Sequence, residues 1–240
     1  MLSDVRGIVL RSYKSGEEGL VCEVLTAGRG RVSFFSRRPR RGGHGRLSSY
    51  QPLSLVEISY DHREGCGLQR MGAVSVWHPY RSLHTDPVKI TVGLFVAEFL
   101  CHATRCSESD AGLYSYAEAA LMWLDEAVAG VANFHIAFML KMARFIGIGP
   151  VADGYRDGAC FDLREGVFTM GIPMHGDHIG SEEARALHSL LRMDFAGLHL
   201  FKMSRSDRSR ITEVALQFYR LHLPGFPRLK SAEVLSGLYE

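Results

Sequence analysis

Acidic residues are missing from one long stretch of this 240-residue chain: between Glu23 and Glu57 stand seven arginines and no Asp or Glu. Cysteine is scarce too. The five, Cys22, Cys66, Cys101, Cys106 and Cys160, are odd in number and form no CxxC pair, which argues for reduced cytosolic thiols rather than a disulfide framework. Long apolar runs are absent. The most apolar helix candidate, Gly93 to Cys101, is interrupted by Glu98 and is far shorter than the roughly 18 residues of a membrane span, so no transmembrane segment is expected. The opening MLSDVRGIVL carries Asp4 and Arg6 where a signal peptide needs an apolar core, so none is expected. Low-complexity segments and internal repeats are lacking. So are the common catalytic signatures: there is no GxSxG, no phosphate loop ending in GK[ST], no HExxH, and no GxGxxG opening a helix.

What is present is charge unevenly placed. The formal net charge is only +2, but residues 1–80 carry a balance of +5 and residues 81–240 one of −3. A basic N-terminal part on a mildly acidic body points to a polyanionic partner. The densest segment is RRPRRGGHGR, residues 37–46, with five arginines, three glycines and no acid. Arginine offers forked donors that match phosphate oxygens, and glycine lets the backbone approach a phosphate closely. Flanking Phe34, Phe35 and Tyr50 are candidates for stacking on unpaired bases. Phe34 and Phe35 are adjacent, so on a strand one faces inward and the other outward; the pattern does not say which. A solvated connection, a nuclear localisation signal and an anionic membrane surface are alternative uses of such a segment, although it carries no apolar anchor for a membrane.

The first 80 residues read as five short strands with glycine turns: Gly7–Tyr13, Leu20–Thr26, Gly30–Phe35, Leu53–Tyr60 and Leu68–Trp77. Five such runs suggest a small closed barrel, an OB-fold being the obvious candidate, though pattern alone does not separate it from an SH3-like barrel. After Pro79 the period changes. Asp86-Pro87 is a helix start, and Val88, Val92, Phe95, Val96, Phe99 and Ala103 share one helical face. Helices are expected over 113–128 and 133–146, around Ile211, Val214, Ala215 and Phe218, and as a short turn from Ser231. Residues 153–180 read as irregular, with a hairpin over Phe161–Thr169.

Two further constellations are weighed. Cys160, His175, Asp177 and His178 fall in one loop region, but His175-x-x-His178 is the only close pair and zinc favours two such pairs; no metal is expected. With Asp162, these residues carry the rival reading of a metal-dependent nucleic-acid enzyme. An RNA-binding OB module is a second rival. Phe95, Phe99, Phe134, Phe138 and Met139, accompanied by Lys141, Arg144 and Arg105, read either as a helix core with basic rims or as a groove for an apolar peptide with an acidic tail.

The order of motifs is similar to that of the RecO family of bacterial recombination mediators. The residues that carry the likeness are Ile8-Val9-Leu10-Arg11, Gly16-Glu17, the strand to Leu25-Thr26, Gly30-Arg31-Val32-Ser33, the Arg/Gly segment and Leu47 to Leu53. It continues with Leu94 to Leu100, His135 to Gly147, and Pro227 to Leu235. The resemblance implies an OB-fold over 1–80 followed by a helical domain over 81–240, in a non-catalytic, cytoplasmic, nucleoid-associated monomer. It implies binding of single- and double-stranded DNA, strand annealing, and help in loading RecA on DNA coated with single-stranded DNA-binding protein, together with RecR. Arg37, Arg38, Arg40, Arg41 and Arg46 sit where the family has its basic loop; Arg11, Lys14, Arg29 and Arg31 lie on or beside the DNA-facing strands. Phe95, Phe99, Phe138, Lys141 and Arg144 are the candidates for receiving the acidic tail of single-stranded DNA-binding protein. Many members carry a four-cysteine zinc site; this chain keeps only Cys160 there, so the Phe161–Phe168 hairpin is expected to stand in its place without metal, and no cofactor is implied.

Overall fold

Alternation of apolar and polar residues, broken by glycine turns, lays five antiparallel or parallel ladders through the first 78 residues. The computed structural model describes residues 2–17, 19–37, 47–105 and 110–237. Strands β1 (Leu2–Ser15), β2 (Gly19–Thr26), β3 (Gly30–Arg37), β4 (Leu55–Asp61) and β5 (Leu68–His78) close a barrel in the order β1-β2-β3-β5-β4. The β3–β5 pairing is parallel and the others are antiparallel. This is the OB-fold.

β1 is longer than its sequence pattern suggests because it serves two partners. Leu2 to Ile8 pair with β4, and Gly7 to Ser15 pair with β2, with a register shift between Val9 and Arg11. A bulge of this kind bends the strand so that one chain can close the barrel. Gly7 makes the bend possible, since a Cβ there would stand 2.3 Å from a Val24 methyl and 3.1 Å from the Leu25 carbonyl oxygen.

The interior is filled by Val9, Cys22, Val24, Phe34, Val56, Ile58, Tyr60 and Met71. Phe34 meets Tyr60 edge-on at 5.1 Å, a favoured aromatic geometry. A 3-10 turn, Leu47–Tyr50, precedes β4 and buries Tyr50, whose hydroxyl lies 2.9 Å from that of Ser36.

Helix α1 (Pro87–Ala103) follows the barrel and packs on β1. The Asp86 carboxylate accepts from the Val88 and Lys89 N–H groups, closing the helix start. The last turn of α2 (Ala111–Glu126) carries Asp125, which accepts from the backbone N–H groups of Arg81, Ser82 and Leu83 at 2.9, 2.8 and 2.7 Å. Buried Lys89 donates to the Asp125 carbonyl at 2.6 Å. Burial pushes the Asp125 carboxyl up, but the three N–H donors and Lys89 outweigh it and hold the group below its ordinary value.

By compactness the chain divides into Met1–Asp125 and Glu126–Glu240; the change of period near residue 80 marks the passage from strands to helices. The second unit is built on α3 (Val131–Phe145), whose Phe134, Ile136, Ala137, Phe138, Met139 and Met142 are all fully buried. A helix apolar on every side belongs inside. β6 (Cys160–Asp162) and β7 (Val167–Thr169) form the expected hairpin, turned at Gly166 with φ +70°, and β8 (His178–Ile179) pairs with the other edge of β6. Helices α4 (Ser181–Arg192), α5 (Arg205–His222) and α6 (Ser231–Gly237) complete it. The Tyr219 hydroxyl donates to the Met139 carbonyl at 2.8 Å, and His135 Nε2 lies 2.9 Å from the Thr212 hydroxyl. Among the described residues, no helix is long and apolar enough to cross a membrane.

Candidate nucleic-acid interface

Strand register settles which side chains face outward together. On β2, Cys22 and Val24 point into the core, so Gly19, Val21 and Glu23 point out. On β3, Phe34 fills the core and Phe35 and Arg37 face outward. On β5, Gln69 and Met71 are buried while Leu68 and Arg70 are exposed. The pairings Tyr13↔Val21, Val21↔Phe35 and Phe35↔Arg70 then place four side chains in one row across the sheet. The row to one side is Arg11, Glu23, Ser33 and Leu68; to the other it is Ser15, Gly19 and Arg37.

The rows form an aromatic strip with cationic edges. Tyr13 is 47% exposed and Phe35 is half-buried. Gly19 lets the Phe35 ring reach over β2, since a Cβ at Gly19 would come within 2.7 Å of that ring and 2.1 Å of the Ser15 carbonyl oxygen. Arg37 and Arg70 are exposed at one edge, Arg11 at the other, and Lys14 beside the β1–β2 turn. The Arg11 guanidinium lies 5.6 Å from the Tyr13 ring centroid, within cation–π range. A surface of this kind offers flat rings to bases and guanidinium groups to the phosphates that connect them.

The candidate residues divide. Arg11 and Arg37 border the strip, whereas Lys14, exposed and paired with core-facing Leu20, projects to the other side of β1. Arg31 does not offer itself: it pairs with buried Glu23, donates to the Cys101 carbonyl at 2.6 Å, and its side chain is only 18% exposed. Burial is the largest influence lowering its pKa, and the charge of Arg11 lowers it further. Arg29 is exposed in the β2–β3 turn, at the opposite end of β3 from Arg37 and roughly 25 Å away at about 3.3 Å per residue. Arg38, Arg40, Arg41 and Arg46 lie outside the described residues. Sequence reasoning misses Arg70 and Tyr13, because only strand register brings them beside Phe35. Arg105, expected on a helix rim, is exposed just beyond α1. With Arg11 and Arg31 it acts on His102, whose pKa is lowered by burial first; Glu98 opposes this, and the three arginine charges add to it.

The expected peptide groove is corrected by burial. Phe95, Phe99 and Phe138 are fully buried, as core rings, and present no apolar wall to solvent. Lys141 donates to Asp194 at 2.8 Å and lies over Phe195 at 5.2 Å, while Arg144 is exposed. In the loop region, His175 Nε2 lies 3.2 Å from Asp162, and Asp162 accepts from the Arg164 and Glu165 N–H groups in the hairpin turn. Asp177 accepts from Arg164 at 2.7 Å and from Gln217 at 2.9 Å. The carboxylates are thus engaged in holding the turn. Among the described residues, no group of three or more His, Cys, Asp or Glu is placed to hold a metal.

Two family models match. The one described as "Recombination protein O N terminal" covers residues 1–80, and "Recombination protein O C terminal" covers 84–233. Curated relatives share the whole length. A protein named DNA repair protein RecO from Phocaeicola vulgatus is 37% identical over 240 residues, covering all of both chains. One of the same name from Bacteroides fragilis is 36% identical over 242 residues, again covering all of both, and one from Christiangramia forsetii is 31% identical over 241.

Proposed function

The chain belongs to the recombination protein O family and has a role in DNA repair and recombination, and from that premise we propose that it is a non-catalytic recombination mediator whose barrel binds DNA on the outer face of β1, β2, β3 and β5. It binds single strands through Tyr13 and Phe35 and both single and double strands through the surrounding cations. It anneals complementary strands and, with RecR, helps load RecA on DNA covered by single-stranded DNA-binding protein, whose acidic tail it contacts. Residues 1–80 act as the DNA-binding domain and 81–240 as the helical domain. The protein works in the cytoplasm as a monomer and needs no cofactor.

The observation that carries this reading is the row Tyr13–Val21–Phe35–Arg70, with Arg11 and Arg37 in the rows beside it. Stacking on rings is indifferent to base identity, as a mediator acting on any strand requires. Holding strands by phosphate and ring leaves hydrogen-bonding edges free to find a complement, which is the chemistry of annealing. If Arg11, Arg37 and Arg70 each meet one phosphate, the logarithmic salt slope on single strands is about −2.1, or about twenty-fold weaker binding from 50 to 200 mM salt.

The test is annealing of complementary strands coated with single-stranded DNA-binding protein. The protein accelerates duplex formation at low salt and loses that effect as salt rises. Strands that stay separate, with binding indifferent to salt, contradict the proposal.

A further inference from the structure

An acidic residue sits on the very face that the DNA reading assigns to a polyanion. Glu23 is only 5% exposed and lies in the row beside Tyr13 and Phe35. Its two oxygens hold two arginines: Oε1 accepts from Arg11 at 2.5 Å, and Oε2 accepts from Arg31.

The two arginines are not equivalent. Arg31 has a second anchor on the Cys101 carbonyl and a side chain 18% exposed, so it is fixed. Arg11 has a side chain 54% exposed and no second hydrogen bond among those described. Its guanidinium instead rests against Tyr13, 5.6 Å from the ring centroid. If Arg11 leaves, Glu23 keeps Arg31 as its counter-ion, and no buried carboxylate is stranded. Arg11 can therefore exchange partners without disturbing the barrel. In its resting position it also occupies the ring that a base needs.

Resting on the DNA reading, we propose that Arg11 is an exchangeable cover on the stacking strip: Glu23 holds it against Tyr13 in the free protein, and a strand's phosphate takes it over, clearing the ring for the neighbouring base. Glu23 is then a positioning residue, and Tyr13 opens to a ligand that brings a phosphate next to its base. A neutral-backbone oligomer such as peptide nucleic acid, which offers bases without phosphates, leaves Arg11 in place and binds poorly.

Fluorescence anisotropy of a labelled oligothymidylate, titrated with full-length protein at several salt concentrations, tests this. Arg11→Gln leaves Glu23 paired to Arg31, so the variant folds. Its salt slope is shallower than wild type by about 0.7, one phosphate contact on a single strand. Glu23→Gln removes the competitor, so affinity rises several-fold with an unchanged slope. Glu57→Gln, which removes the same charge beside Arg6 on β4, leaves affinity unchanged and separates positioning from net charge. An Arg11→Gln slope equal to that of wild type overturns the inference while the DNA reading stands. That result decides the matter even if Glu23→Gln does not fold. A wild-type protein with no salt-dependent binding removes the DNA reading and this inference with it.

Discussion

Replacing Tyr13 by alanine separates the two kinds of contact on the barrel face. The ring is 47% exposed on β1 and lies in one row with Val21 and Phe35. It contributes no charge to the strip. Losing a base-stacking ring costs about 1–3 kcal/mol, which is roughly 5- to 150-fold in Kd at about 1.4 kcal/mol per tenfold. The fold is affected less, because a half-exposed strand position spans about 1 kcal/mol in side-chain preference. Tyr13→Ala is therefore expected to weaken oligothymidylate binding by one to two orders of magnitude with the salt slope unchanged. Tyr13→Phe keeps the ring and binds as the wild type does. The assay is fluorescence anisotropy across a salt series, with urea unfolding as the control for folding. An alanine variant of unchanged affinity refutes the stacking role, and one whose slope falls along with its affinity shows that the loss was electrostatic.

Other consequences concern the segment beyond β3 and the two buried polar anchors. Replacing Arg37, Arg38, Arg40 and Arg41 together by alanine lowers DNA affinity and flattens the salt slope by up to about 0.7 for each phosphate that an arginine no longer meets, while thermal unfolding shifts little; reduced stability with intact binding contradicts it. Asp125→Ala leaves the backbone N–H groups of Arg81, Ser82 and Leu83 without their acceptor, removes the negative charge beside buried Lys89, and costs about 3–5 kcal/mol in urea unfolding. Because the folded Asp125 pKa is lowered, its stabilisation is full above about pH 4 and fades as pH falls through the folded value. His135 behaves as a buried base, pushed down to about 3 by burial first and by Arg208 next. Below the unfolded value of about 6.5 the unfolded chain takes a proton that the fold refuses, so stability drops by about 1.4 kcal/mol per pH unit from there toward about pH 3. His135→Gln flattens the unfolding free energy between about pH 6.5 and 5, and an unchanged profile contradicts the assignment.

Period and punctuation carry much of the fold. The strands show because glycines interrupt alternating runs, and α1 shows because Asp86-Pro87 opens a one-faced pattern. α4 is hidden in the sequence although Ala184, Leu187 and Leu190 keep helical spacing and are its buried residues; its first turn of Ser and Glu blends into the preceding loop. β1 reads short because its first half pairs with a strand far along the chain, Leu2 with Asp61. The site is harder for the same reason. Phe34 and Phe35 exchange roles under a one-residue slip, and only the ladder to β5 shows that Phe35 faces Arg70. The Glu23–Arg31 pair joins diagonal neighbours across β2 and β3, so Arg31 looks free in sequence and is bound in the fold. In α3 the basic residues near Phe138 suggest a rim, but the Phe134 and Phe138 rings are buried in the core.

In the proposed DNA complex, unpaired bases lie on Tyr13 and Phe35, on the outer face of β1 and β3. Photocross-linking of an oligothymidylate carrying 5-iodouracil, followed by mass spectrometry of the peptides, tests it most directly. Adducts on Tyr13 or Phe35, reduced by excess unlabelled strand and by high salt, are the predicted result. Adducts confined to β4 or to residues 126–240, with Tyr13 and Phe35 unmodified, contradict it.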